Sequence, residues 1–237
     1  MSDLKLGKLP AARPFGLKSL AIYASGPLPD PPASVPVPRA GYPMDGNDQC
    51  GDCVAAGMAH LIAAWDAEVG RSGPVPDAQE VLDTYFQLTG GQDSGLNEAS
   101  VLNLWRSSEL FGERIAAYAP VDHEKLLDIH QAVAFYGGAM LGIQCPQSAQ
   151  EQFASGQPWT VVPGSQIAGG HCIVALGYTP QGLLCATWGG IAEVTYPFLA
   201  RYLDEAWAII PRQFVDAGKG PSLDLKSLEA DLDKLAA

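Results

Sequence analysis

Apolar residues from position 54 onward recur every three or four places. Val54, Ala55, Met58, Leu61, Ile62 and Trp65 fit one side of a helix, so the spacing predicts a helix starting within a residue of Cys53 with one face in the core. Asp52 stands at the N-cap position, where a carboxylate would accept a hydrogen bond from an orphan first-turn amide. After Pro76-Asp77 the pattern predicts a second helix through Val81, Leu82, Tyr85, Phe86 and Leu88, closed by Gly90-Gly91. Asn97 is placed to cap a third, through Val101, Leu102, Leu104 and Trp105.

The pattern then turns to short apolar runs. A strand is expected at residues 114–118, an amphipathic helix over 123–136 stopped by Gly137-Gly138, and a buried strand over 139–144 ending at Cys145-Pro146. Residues 171–188 read as a hairpin turning at Thr179-Pro180-Gln181-Gly182, with His171 opening its first strand. A short run at 193–196, a helical turn over 198–202 and a strand over 206–210 follow. Beyond the linker Gly218-Lys219-Gly220-Pro221, a last helix over 222–235 carries Leu225, Leu228, Leu232 and Leu235 on one stripe, suited to docking on the body or meeting a partner.

Residues 1–46 break this regularity, with nine of the nineteen prolines. Proline removes donors and fixes φ, so an extended segment is expected. Lys5, Lys8, Arg13, Lys18 and Arg39 against Asp3, Asp30 and Asp45 make it mildly basic, on a chain whose net charge is −12. Phe15, Leu17, Leu20, Ile22 and Tyr23 give it apolar surface to bury, whether on its own body or on a partner; a plain linker is the alternative.

Composition narrows the classes. At 237 residues and 47% hydrophobic content, the chain can bury a sizeable core as one large domain or two small lobes. No apolar run reaches membrane-spanning length, and residues 1–16 lack the apolar stretch of a secretory signal. Five cysteines without such a signal read as reduced thiols in a cytoplasm. The acidic charge argues against nucleic acid or an anionic membrane as a partner.

Two stretches carry candidate chemistry. Cys53 at a helix start feels the positive end of the helix dipole, which favours the thiolate. His171 on a distant strand could hold that thiolate as an ion pair. Other uses of these residues are weaker. Cys50-x-x-Cys53 lacks the preceding strand of a redox motif. A zinc set of Cys50, Cys53, His171 and Cys172 would need neighbouring strand residues to face the same way. Cys145, Cys172 and Cys185 read as buried strand residues, and His60, His123 and His130 as surface or packing residues on helices. No metal or other cofactor is expected.

Cys50-Gly51-Asp52-Cys53-Val54 resembles the nucleophile motif of papain-like cysteine peptidases, with Asp and Val in place of a small and an aromatic residue. The segment 171–178, followed by Ala186-Thr187-Trp188-Gly189, resembles the same family's histidine strand and its "NSWG" turn. More narrowly, the chain is similar to papain-like proteins of bacteria and their phages carrying "GNDxxGDC" and a later "TWG". The resemblance implies an α+β, papain-like two-lobe fold, a helical lobe plus an antiparallel β lobe, with the site in the cleft between them. It divides the chain into a proline-rich arm (1–45), a papain-like domain (46–215), and a linker with C-terminal helix (216–237).

By the same resemblance Cys53 is the nucleophile and His171 its base. Asn47, or Gln49 nearby, takes the place of the glutamine that helps bind the oxyanion, and Trp188 shields the histidine. The family's orienting asparagine falls on Ala186, which has no amide. Thr187 could replace it only if a bulge or register shift re-aims its hydroxyl, so a weakly held imidazole and a slow enzyme are expected. Two readings follow: a thiol hydrolase acting on a peptide or protein substrate, or a papain-like fold kept as a binding or structural protein. Family context adds a phage particle or its assembly, with the arm or the last helix as attachment element, and a location in a bacterial cytoplasm or a virion.

Overall fold

The structure, a computed structural model, describes residues 4–12, 16–71 and 75–235, which hold eight α-helices and one six-stranded antiparallel sheet. Phe15, one of the apolar residues of the N-terminal segment, lies outside the described residues. Helices α1 (Cys53–Val69), α2 (Ala78–Leu88) and α3 (Glu98–Ser107) come first. Asp77 and Asn97 cap the second and third as expected, their side chains accepting from the amides of Glu80 and Ser100. Trp65 of α1 stacks on Trp105 of α3 with centroids 5.6 Å apart, joining the first helix to the third.

Helix α1 corrects the one-sided expectation. Every residue from Cys53 to Asp66 is buried, because α2, α7 and the sheet strands β3 and β4 pack around it. Its many alanines make that possible: small side chains let neighbours approach from all sides. Asp52 precedes the helix but makes no capping hydrogen bond. Its buried carboxylate is pushed up to about 7, chiefly by burial, with the Asn47 amide opposing that shift.

The sheet runs in the order β1 (Ile115–Pro120), β6 (Leu203–Pro211), β2 (Ala139–Pro146), β3 (Ile167–Tyr178), β4 (Gly182–Thr187), β5 (Gly190–Thr195). Strand β3 begins four residues earlier than the apolar run suggests, so His171 sits inside the strand, opposite Ile143 of β2. Helix α4 (Leu126–Tyr136) likewise starts later than the periodicity implies, leaving His123 in the preceding turn. Helices α5 (Gln147–Ala154) and α7 (Arg212–Asp216) are additions to the expected set, and α6 (Tyr196–Tyr202) is the anticipated helical turn.

Helix α8 (Leu225–Asp233) docks on the body through buried Leu228 and Leu232. Part of what it meets is the N-terminal segment. Tyr23 is buried, donates to Asp231 at 3.0 Å and accepts at its carbonyl from Asp224 at 2.7 Å. Farther on, Val35 exchanges backbone hydrogen bonds with Tyr178 at the end of β3. Residues 16–45 therefore run over the surface of their own domain, held at separated points.

Candidate active site

A polar turn sets the start of α1. Asp45 (φ 59°) and Gly46 (φ 150°) reverse the chain, and the Gly46 carbonyl accepts from the amides of Gln49 and Cys50. The Gly51 amide donates to Asp93, which also accepts from the Tyr85 hydroxyl at 2.6 Å. The turn is thus tied to the loop beyond α2, and Cys53 emerges at the first turn of the helix with its sulfur against the sheet. Its Sγ accepts from the backbone amide of Cys172 at 3.4 Å, one peptide along from His171.

The imidazole of His171 is buried and clamped on two sides. Nε2 lies 2.7 Å from the hydroxyl of Thr187, and the ring stacks on Trp188 with centroids 4.2 Å apart at 16°. The expectation of an unheld imidazole is therefore not met. Ala186, opposite Val174, has no part in this, and the pairing of β3 with β4 slips between Ala175 and Gly177. That irregularity is the kind of shift Thr187 needed to reach the ring. Trp188 itself has φ 42°, an uncommon conformation for a bulky residue, followed by Gly189 at φ 79°. This sharp turn lays the indole over the imidazole, backed by Trp159 and Phe153. The other ring nitrogen, Nδ1, has no hydrogen-bond partner among the described residues and is the one left to take a proton.

The oxyanion candidates fare differently. Asn47 is buried, but its amide donates to the Cys50 carbonyl at 3.3 Å and faces Asp52, so it serves the turn. Gln49 is exposed, and among the described residues no hydrogen bond holds its side chain. What remains for an oxyanion is the amide of Cys53 itself, a first-turn donor without an intrahelical acceptor. No group of three metal-binding side chains converges anywhere among the described residues. His60 and His130 are packing residues: His60 meets the Pro43 carbonyl and Asp45, and His130 stacks on Tyr178.

No local pattern marks residues 4–9 as lying between the helices and the sheet, which is where the structure puts them. The Lys5 amide donates to the Asn47 carbonyl, and the Trp188 indole donates to the Lys5 carbonyl. Gly7 lies against the turn before α1 so closely that a Cβ there would fall 1.7 Å from the Gly51 carbonyl oxygen. Its amide faces the Cys53 sulfur. Lys8 donates to Gly170 of β3 on the sheet side, while Gly7 and Leu9 pair with Leu96 on the helical side. The segment thus joins the two halves across Cys53.

Enclosure sets the electrostatics. Burial pushes the Cys53 thiol up to about 12, the Asp52 and Glu98 charges adding to it while the Cys172 and Gly7 amides oppose it. Burial also pushes His171 down to about 3. Burial thus works against the charged form of each partner, thiolate and imidazolium alike, and in the enclosed site desolvation opposes the helix dipole.

The buried N-terminal lysine, Lys8, and the acidic residues around it were also missed. The one local signal is Glu205, a charge in the alternating set Glu205, Trp207, Ile209 of a strand otherwise apolar on that face.

An α-helical half carrying a cysteine at the N-terminus of its central helix, set against an antiparallel sheet carrying a histidine, is the papain-like fold, and this chain has it. Among solved structures it is similar to xylellain, a cysteine protease from Xylella fastidiosa, at TM-score 0.69 and 14% identity, covering 89% of this chain and 97% of that one. It is also similar to digestive procathepsin L 3 of Tenebrio molitor larval midgut (TM-score 0.57, 14% identity, 87% of this chain and 76% of that one). The Carica candamarcensis cysteine protease CMS1MS2 in complex with E-64 aligns at TM-score 0.54 and 14% identity, over 76% of this chain and 99% of that one. No protein-family model matches the chain, and no curated protein sequence does.

Proposed function

We propose that the chain is a thiol hydrolase acting on a peptide or amide bond, held in a covered resting state by its own residues 4–9. The observation that carries this reading is the constellation at the sheet. Cys53 at the head of α1 lies against the His171–Cys172 backbone, and His171 is anchored at Nε2 by Thr187 beneath Trp188. With the cleft opened, His171 Nδ1 takes the thiol proton and the sulfur attacks the carbonyl carbon. The imidazolium then protonates the leaving amine, and water hydrolyses the thioester with His171 as base. The Cys53 amide, at the positive end of the helix, donates to the oxyanion.

The test uses E-64, the compound in complex with the Carica candamarcensis protease, on the full chain with and without Gly7→Ala. The hydrolase reading expects one adduct on Cys53 in the variant, peptide hydrolysis by it, and loss of both in Cys53→Ala. A second reading, a papain-like fold retained for binding or structure, is favoured by the neutral, covered Cys53 and His171. It is the conclusion if the opened variant forms no adduct and cleaves nothing.

A further inference from the structure

Lys8 carries a charge to a place where charges are rare. Its side chain is wholly buried, with Nζ 2.8 Å from Glu205 and 3.0 Å from Asp204. Glu98, the first residue of α3, is fully buried beside them, its carboxyl against the Cys172 thiol; burial and the Glu205 charge push it well above the usual carboxylate range, and the Lys8 charge opposes that shift. Burial alone would lower the Lys8 pKa; the hydrogen bond and charge of Glu205, joined by Asp204, hold it above its ordinary value. Three carboxyl groups from two elements thus surround one ammonium.

The pocket is shaped for what fills it. Gly142 of β2 forms its wall, and a Cβ there would lie 2.0 Å from the Lys8 Cε and 2.6 Å from the Glu205 Cγ. Trp207 donates its indole N–H to Glu205 at 3.0 Å, fixing that carboxylate in place. None of these groups belongs to the catalytic pair. Yet the residue next to Lys8 is Gly7, whose amide faces the nucleophile. A chain lying in the cleft therefore delivers a side chain to this pocket when the neighbouring peptide unit is at the sulfur.

We infer that the Glu98–Asp204–Glu205 pocket is a specificity pocket for a lysine or arginine side chain of the substrate, which Lys8 fills in its place at rest. This rests on the hydrolase reading for the word substrate, and on the pocket's own geometry for the preference. A buried carboxylate without a counter-charge is strongly disfavoured, so an apolar or acidic side chain should leave the pocket unsatisfied.

The experiment uses the full chain carrying Lys8→Gly. Thermal melts are recorded with n-butylammonium chloride, with 1-butanol and with sodium chloride at matched ionic strength. In the same variant, acylation of Cys53 is followed by mass with peptides differing only in one residue: lysine, arginine, norleucine or glutamate. Butylammonium should raise the melting temperature by several degrees where butanol and salt do not. Lysine and arginine peptides should acylate at least about tenfold faster than norleucine, a preference that Glu205→Gln reduces.

If butylammonium and butanol act alike, or acylation shows no basic preference, the specificity proposal fails. Acylation without preference leaves the hydrolase reading standing. Butylammonium rescue with no acylation by any peptide sinks the hydrolase reading and leaves a cation pocket. Should Lys8→Gly not fold, Lys8→Met, which keeps the aliphatic stem, is compared with Lys8→Arg. The methionine variant should expose Cys53 to iodoacetamide faster, and equal rates overturn the proposal.

Discussion

Gly7→Ala is a one-carbon change whose outcome the structure fixes closely. The added Cβ would sit 1.7 Å from the Gly51 carbonyl oxygen, backbone against backbone, so no side-chain rotation relieves it. Residues 5–9 must lift away, giving up the hydrogen bonds of Lys5 to Asn47, Lys8 to Gly170, Leu9 to Leu96 and Leu96 to Gly7. At roughly 0.5–1.5 kcal/mol net apiece, these four are worth about 2–6 kcal/mol. Such a loss lowers the melting temperature by several degrees in a domain of this size. The larger effect is on the thiol. Held at about 12, Cys53 would be thiolate in about one molecule in 30,000 at pH 7.5, against about one in ten for an ordinary cysteine. Re-solvating the cleft should therefore raise its alkylation rate by on the order of 10³, before any gain from access or from His171. The assay is timed iodoacetamide labelling at pH 7.5 with mass mapping of all five cysteines. In the wild type Cys53 should label slowly, and in the variant it should lead the others. If Gly7→Ala labels Cys53 no faster than wild type, the covering segment does not control the thiol and the reasoning fails.

Thr187→Val, in the Gly7→Ala background, removes the 2.7 Å partner of His171 and leaves Nε2 buried without one. At about 1–3 kcal/mol, acylation of Cys53 should fall about 5- to 150-fold. Thr187→Ser should keep most of the rate, and Ala186→Asn should bring no gain; an unchanged rate in Thr187→Val removes Thr187 from the site. Asp52→Asn should stabilise the protein near neutral pH by as much as ~4 kcal/mol, since burial raises that carboxyl from 3.8 to about 7. The sign follows from the raised value: stability present below about pH 4 is lost as pH climbs through 7. Melting curves of Asp52→Asn should therefore lose that part of the slope, and a parallel slope would refute the assignment. Cys53 behaves likewise at higher pH, with stability intact below about 8.5 and lost as pH rises toward 12. The free energy of unfolding measured from pH 8 to 10.5 should fall more steeply in wild type than in Cys53→Ser.

What could be seen in the sequence depended on the range of the interaction. The caps at Asp77 and Asn97, the buried run of β2 and the β3–β4 hairpin are local patterns, and each appears close to where it was expected. Helices α5 and α7 were missed because their sequences, Gln147–Ala154 and Arg212–Asp216, are short and largely polar, so their stability comes from packing against the sheet. At the site, the motif around Cys53 and the strand of His171 were readable. The reach of Thr187 was not, because it depends on a pairing slip that strict alternation cannot express. The amide of Asn47 donates to the Cys50 carbonyl, a contact within the turn that spacing to Cys53 does not reveal. Lys8 lay beyond any local rule, since its partners are nearly two hundred residues away.

That separation has a consequence for timing. Residues 5–9 are translated well before Gly170, Asp204 and Glu205, the groups that hold them. Closing loops of this length costs entropy before any contact repays it, so the segment cannot settle until the strands on either side exist. During synthesis helix α1 can therefore form while the Cys53 thiol is still open to solvent. The thiol is put away only once β3 has supplied Gly170 and the Cys172 amide, and the cover is locked when β6 brings Asp204 and Glu205 to Lys8. Concealment of Cys53 is in that sense a report that β3 is in place, and a chain stalled before residue 167 would display a bare sulfur that the finished molecule hides.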